Sequence, residues 1–253
     1  MHSTEVWNCG GGTQSSAIAA LIVSRKLPKP DVSLIVDTGR EKQSTWDYMD
    51  SVLVPNLLKV DITLHKVSKE EFATCDLWST NCETLEIPAF TTQTTGGISK
   101  LPNFCSYEWK RRVADRWLRR EGYTNPRKWL GFAVDEPRRW LPHADSQEVW
   151  LPLVYGVPLR KADCKPFVAK MGWPEPPGSN CWMCPNQSDK EWIETKNNRP
   201  HEFARAVLLE REIRVRDPFA FLHSSGVPLD QVNWTKPQMD LFERACGSGE
   251  CFL

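Results

Sequence analysis

The sequence predicts an α/β fold built on an open, mostly parallel sheet with helices on both faces. Three observations carry this prediction. Short apolar runs alternate with helix-patterned segments from Glu5 to Val67. An unbroken glycine run, Gly10-Gly11-Gly12, separates the first apolar run from the first helical one. The turns that end later apolar runs are rich in Asp, Glu, Thr and Gly, as expected where such sheets bind ligands.

In order along the chain, Glu5–Cys9 (EVWNC) is short and apolar enough for a first strand. Ser16–Arg25 (SAIAALIVSR) reads as a helix that is apolar nearly all round, and Pro28 and Pro30 end it. Val32–Val36 (VSLIV) is a buried strand that stops at Asp37-Thr38-Gly39. Helical spacing runs from Ser44 to Leu58, and Ile62–Val67 gives a third strand. This alternation is the pattern of a parallel sheet joined by right-handed crossovers. Cys75 to Ser99 is polar and threonine-rich and is expected to be a long loop or lid. Ser106–Glu121 is a basic helix, Trp129–Val134 (WLGFAV) a fourth strand and Glu148–Val154 a fifth. From Pro158 the composition shifts to proline and tryptophan, with helices over Ser188–Thr195 and His201–Arg214. The expected division is therefore a sheet domain over 1–157 and a Cys/Trp-rich region over 158–253, packed on the first.

Composition limits the function. Lys plus Arg number 32 and Asp plus Glu 32, so no bulk charge draws the chain to nucleic acid or to a membrane surface. A local basic patch remains compatible with that balance. No stretch reaches membrane-spanning length and the N-terminus carries no secretory pattern, so the expected location is the cytoplasm. Nine cysteines, an odd number, then point to metal or thiol chemistry rather than a disulfide framework.

The glycine run carries the first site. Asn8-Cys9-Gly10-Gly11-Gly12-Thr13-Gln14-Ser15-Ser16 joins a strand to a helix. Glycines let the backbone approach a ligand closely, and the helix N-terminus offers unpaired N–H groups and a positive dipole end to phosphate oxygens. Ser15 and Ser16 are expected to cap that helix and to add hydroxyl donors. Neither a Walker loop nor a spaced dinucleotide fingerprint fits, because no lysine follows and the glycines are consecutive. A tight capped turn is the alternative. The turns Asp37-Thr38-Gly39 and Asp135-Glu136-Pro137-Arg138 favour a site, since both fall at the same carboxyl edge.

Cys181-Trp182-Met183-Cys184-Pro185 spaces two thiols for one zinc ion or iron–sulfur cluster; a thioredoxin-like redox pair shares that spacing. Lys110, Arg111, Arg112, Arg116, Arg119 and Arg120 make one helix strongly basic. Either it is a solvated face with acidic partners, or Lys110 or Arg111 reaches a phosphate or sulfate. Cys246 and Cys251 sit in a glycine–serine tail that reads as flexible; a redox relay, a disulfide and an unstructured tail are all compatible with it.

The segments CGGGTQSSA, IVDTGRE, FCSYEWKRR, GFAVDEPRR, PLRKADC and SNCWMCPNQSDKEW occur in this order between Val6 and Trp192. Together they resemble the PP-loop superfamily of ATP pyrophosphatases and nucleotide α-hydrolases, in its phosphoadenosine-phosphosulfate (PAPS) reductase-like branch. The resemblance implies an adenine nucleotide, ATP or PAPS, held by Gly10, Gly11, Gly12, Gln14, Ser15, Ser16, Asp37, Thr38, Gly39, Glu136 and Arg138, with magnesium as its companion ion. It implies a four-iron, four-sulfur cluster, or zinc in its place, on Cys105, Cys164, Cys181 and Cys184. The implied chemistry is ATP-dependent adenylation coupled to sulfur transfer onto a nucleic acid or small molecule, with Lys110, Arg111 and Asp135 as catalytic groups. An alternative is thiol-dependent release of sulfite from the sulfated nucleotide, with Cys246 or Cys251 as nucleophile and a thioredoxin-like partner. A third is a non-catalytic nucleotide-binding or scaffold protein with structural zinc. The loop departs from the family's Ser-Gly-Gly-x-Asp-Ser: Cys9 replaces the first serine and Gln14 the aspartate.

Overall fold

The computed structural model describes residues 4–94 and 97–235. Strand β1 (Glu5–Asn8) leads into helix α1 (Thr13–Val23), followed by β2 (Val32–Asp37). Helices α2 (Gln43–Tyr48) and α3 (Val54–Leu58) are joined through a π-helical turn over Met49–Leu53, and lead to β3 (Leu64–Ser68) and the short α4 (Lys69–Phe72). Strands β4 (Phe90–Thr94) and β5 (Gly97–Lys100) come next. A π-helical segment over Ser106–Arg111 then runs into α5 (Arg112–Arg120). Strand β6 (Arg127–Trp129), α6 (Pro137–Trp140), β7 (Val149–Trp150) and α7 (Lys161–Lys170) follow, then α8 (Asp189–Asn198), α9 (Pro200–Arg216) and β8 (Ala220–Phe221).

Two units emerge. The first comprises the described residues up to Phe72 and Arg112–Ser179; the second comprises Ala73–Arg111 and the described residues from Asn180 onward. This division differs from the expected boundary after residue 157. Residues 158–179 belong with the sheet because α7 packs on α1. Residues 73–111 leave it because β4 and β5 pair elsewhere.

The first unit holds a five-stranded, all-parallel sheet in the order β3-β2-β1-β6-β7. Side chains alternate across a strand. Trp7, Ile35 and Trp129 therefore join α1, α2, α3 and α7 in one apolar cluster with Ile18, Leu21, Met49, Leu57 and Val168. Val6 and Leu34 lie at the intervening positions and are buried as well, and α5 packs on β2 and β3. Helices thus flank the sheet, as the sequence predicts.

Strand β6 is the polar triplet Arg127-Lys128-Trp129, earlier than the apolar run expected to form it. Its charges are neutralised in place. Glu5 on β1 is buried and accepts hydrogen bonds from Arg127 Nε at 2.7 Å and Trp129 Nε1 at 2.6 Å. Lys128 pairs with Asp115 of α5 at 2.5 Å. The fifth strand is likewise reduced to Val149–Trp150, before a π-helical turn over Pro152–Gly156.

The expected lid over Cys75–Ser99 is instead structured in its second half. β4 pairs antiparallel with β5 and with β8 in a three-stranded sheet of the second unit. Helix α8 starts at a capping box in which Ser188 Oγ accepts from the Glu191 N–H. Helix α9 starts on Pro200 and buries Phe203, Ala206, Val207, Glu210 and Ile213 at helical spacing. Glu210 accepts backbone N–H bonds from Leu222 at 2.7 Å and Leu229 at 2.6 Å. His223 is 1% exposed, with Nε2 2.9 Å from Asp189 Oδ1 and Nδ1 2.8 Å from Ser225 Oγ. Among the described residues no helix is long and apolar enough to cross a membrane.

Candidate functional site

Counted by their appearance within the five-stranded sheet, the strands run 3-2-1-4-5. The chain leaves β1 toward β2 on one side, and β6 fills the other side, so the topological switch point lies between β1 and β6. Open parallel sheets bind ligands outside the carboxyl ends of the strands at this point. The glycine loop, Cys9 to Gly12, occupies it.

The loop is fixed from behind. The Cys9 N–H donates to Leu34 O at 2.8 Å. Its buried thiol is pushed up to about 11 by desolvation, so it fills space in its protonated form. The Gly10 N–H donates to Ser15 Oγ at 2.8 Å, and Ser16 Oγ donates to Gly12 O at 3.0 Å. The two serines therefore tie the loop to the helix, and neither caps the helix end as expected. Gly12 is the N-cap of α1, and no side chain caps the helix there. Its first-turn N–H groups, which lack intrahelical acceptors, are left open at the switch point.

Glycine is required at two positions. Gly11 has φ +68°, and a Cβ there would lie 2.8 Å from Thr45 Cγ2. A Cβ on Gly12 would lie 2.7 Å from Ser179 Cβ. Thr45 thus stands against Gly11 and Ser179 against Gly12. Tyr48, three residues beyond Thr45 on α2, hydrogen-bonds Ser16 and donates its hydroxyl to Pro174 O at 3.1 Å. It ties α1 to the segment Pro174–Ser179.

The turn after β6 reaches the loop directly. Gln14 Nε2 donates to Glu136 Oε2, which also accepts the Ala133 N–H at 3.0 Å. Glu136 Oε1 pairs with Arg139 at 2.9 Å; Glu136 is buried and the Arg139 side chain is 10% exposed. Arg138, expected at the site, is exposed; Arg139, one residue on, is the engaged cation, stacked 4.1 Å from the Phe132 ring centroid. Asp135 Oδ1 accepts the Lys161 N–H at 2.9 Å at the start of α7. At the end of β2, Asp37 accepts the Gly39 N–H and pairs with Lys66, both at 2.8 Å. Thr38 is buried and bonds Glu41 through its N–H and hydroxyl.

The structure therefore brings together Gly10, Gly11, Gly12, Gln14, Ser15, Ser16 and Glu136, with Asp37, Thr38 and Gly39 on the neighbouring strand end. Tyr48, Thr45, Ser179 and Arg139 adjoin these residues and were not singled out by the motif reading. The one available signal was the three-residue spacing of Glu136 and Arg139.

The other expected residues do not belong to this set. Lys110 is buried and Arg111 exposed; both belong to the second unit. Cys105, Cys181 and Cys184 belong to it too. The Cys184 N–H closes a turn onto Cys181 O at 3.1 Å, and Gln187 Nε2 donates to the carbonyls of Cys181, Trp182 and Cys184. Cys164 belongs to the first unit, where burial and the charges of Asp135, Asp163 and Glu136 push its thiol up to about 12. Among the described residues no group of three or more His, Cys, Asp or Glu side chains is placed to hold a metal ion. Cys246 and Cys251 lie outside the described residues.

No protein-family model, no curated protein and no solved structure matches this chain.

Proposed function

We propose that the first unit binds the phosphates of an adenine nucleotide as part of a PP-loop enzyme of the PAPS reductase-like branch. The observation that carries the reading is the uncapped start of α1, seated behind three glycines at the switch point between β1 and β6. Backbone N–H groups there favour anionic oxygens. The Gln14–Glu136–Arg139 chain holds the turn after β6 against the loop and keeps the Glu136 carboxylate neutralised beside the anion.

The reaction this site serves is adenylation. An acceptor oxygen attacks the α-phosphorus of ATP, the bond to the β-phosphate oxygen breaks, and pyrophosphate leaves. A sulfur nucleophile then displaces AMP from the activated acceptor. The protein's part is positioning and the preorganised stabilisation of charge on the phosphates.

The test is calorimetric titration of the oxygen-free, full-length chain with ATP, PAPS and AMP, with metal content and pyrophosphate release measured on the same preparation. ATP binding with pyrophosphate release on adding an acceptor is expected. Sulfite release from PAPS would move the function to the reductase alternative. Tight nucleotide binding with no turnover against either substrate would make the protein a sensor or scaffold.

A further inference from the structure

We infer that Trp140, Leu141 and Tyr155, with Arg138 beside them, form an open platform for the acceptor, and that this acceptor is an unpaired base in a nucleic-acid strand. The inference rests on the nucleotide reading above and names the acceptor class for it.

The sheet places these residues. Its strands are parallel, so the segments that follow β1, β6 and β7 all leave at the carboxyl edge. The glycine loop follows β1, Arg138 to Leu141 follow β6, and Tyr155 follows β7. Neighbouring strands lie about 4.8 Å apart, so this surface begins roughly 5–10 Å along the edge from the loop. An acceptor seated there lies beside a nucleotide held at the loop.

The two aromatic rings are held in place. Trp140 Nε1 donates to Val134 O at 3.3 Å, and the Trp140 and Tyr155 rings meet edge to face with centroids 6.4 Å apart. Tyr155 sits on the π-helical turn over Pro152–Gly156, which the Val157 N–H closes onto Pro152 O at 2.8 Å. A Cβ on Gly156 would lie 2.7 Å from Leu27 Cδ2, so the turn is pressed against the core. Tyr155 is nevertheless 53% exposed and Leu141 57%. Apolar side chains scattered singly in water need no explanation, whereas a group of them at a ligand-binding edge marks a contact surface.

The chemistry of the surface selects its occupant. Small free molecules are bound in concave pockets, but aromatic side chains open to water suit the face of a base carried on a strand. Arg138 is exposed and has no ion pair among the described residues. Three residues before Leu141, it lies on the same side of the helical turn and supplies a cation for the phosphate next to the base. The carboxylates just before it are engaged, Glu136 by Arg139 and Gln14 and Asp135 by the Lys161 N–H. With a formal net charge of zero the chain has no bulk attraction to nucleic acid, so stacking carries the recognition.

The experiment measures fluorescence anisotropy of a labelled single strand, the matching duplex and an abasic strand of equal length. Each is titrated with the full chain and with Tyr155→Ala, Tyr155→Phe and Arg138→Gln, alongside ATP titration and thermal melting of every variant. The wild-type chain is expected to prefer the single strand over both the duplex and the abasic strand. Tyr155→Ala loses about 10-fold in affinity for it, the scale of one stacked base, and keeps wild-type affinity for ATP. Tyr155→Phe retains strand binding, and Arg138→Gln weakens it with a salt dependence reduced by about one phosphate contact. Equal affinity for the duplex or the abasic strand overturns the stacking platform, as does wild-type strand affinity in Tyr155→Ala. Free nucleosides that bind as tightly as the strand make the surface a small-molecule site and overturn the strand assignment. A chain that binds ATP but no strand overturns the platform and leaves the nucleotide reading. One that binds the strand through Tyr155 but no ATP overturns the nucleotide reading and leaves the platform.

Discussion

The Gln14 carboxamide donates a hydrogen bond to Glu136 across the switch point, joining the first turn of α1 to the turn after β6. Glu136 needs that donor, because its remaining bonds go to the Ala133 N–H and Arg139. Restoring the aspartate of the PP-loop pattern should therefore harm this protein. Gln14→Ala is expected to cost about 1 kcal/mol, the value of one hydrogen bond. Gln14→Asp should cost more, since it sets two carboxylates face to face. Glu136→Gln should cost about 3 kcal/mol, because it leaves the Arg139 charge largely buried without a counter-ion. Chemical denaturation followed by a probe in the first unit checks the ranking; a Gln14→Asp variant as stable as wild type would refute it.

Gly12 has an ordinary φ of −103°, so what a side chain there would strike first is Ser179. Gly12→Ala should destabilise by about 1–3 kcal/mol through overpacking. Ser179→Gly should restore at least half of that loss in the double variant, as a double-mutant cycle would read. Two additive losses would show that Ser179 does not contact the loop.

Acidification should loosen the second unit. Burial lowers the His223 pKa below its ordinary 6.5, and the hydrogen bond and charge of Asp189 only partly oppose this. The unfolded chain then takes up a proton near pH 6.5 that the folded protein refuses. Stability is full above that value and falls as the pH drops below it. Glu210 has the opposite sign: burial raises its pKa, so its contribution is lost as pH rises from 4.5. Melting temperature measured from pH 8 to pH 5 should fall on the acid side, and His223→Gln should flatten the decline. An unchanged slope in that variant would remove His223 as its cause.

Thiol reactivity should follow burial and pKa. Cys82 is exposed, whereas Cys9 and Cys164 are buried with thiols held at about 11 and about 12. Iodoacetamide at pH 8 should modify Cys82 within minutes and leave Cys9 and Cys164 untouched until the chain unfolds. Peptide mass mapping reads the order. Rapid labelling of Cys164 would contradict its burial, and protection of Cys105, Cys164, Cys181 and Cys184 together after incubation with iron and sulfide would support a shared cluster.

The first half of the sheet was legible because parallel strands buried on both faces carry continuous apolar runs, as EVWN and VSLIVD do. The glycine loop was legible because three glycines have few other uses. Strand β6 was read too late because its polarity is cancelled by Glu5 and Asp115, partners distant in sequence. The β4-β5-β8 sheet was missed because TTQTT has no alternation and its third strand comes more than a hundred residues later. At the site, the glycines, Gln14 and Glu136 were visible. Thr45 and Tyr48 lie outside the quoted motifs, and Ser179 opens SNCWMCPNQSDKEW without any chemistry of its own; only the closeness of their segments in space marks them.

The strand order also governs how the chain assembles. Strand β1 gains its β2 neighbour once Asp37 has been made, but its other edge waits for β6, about ninety residues later. At ribosomal speed that interval lasts roughly 5–20 s. Throughout it the strand beside the glycine loop presents unpaired N–H and C=O groups to any neighbouring chain. The residues made in the meantime include the whole of Ala73–Arg111, which build a different unit and cannot close that edge. The detour that carries the chain out of its first unit and back thus sets a window of exposure during synthesis.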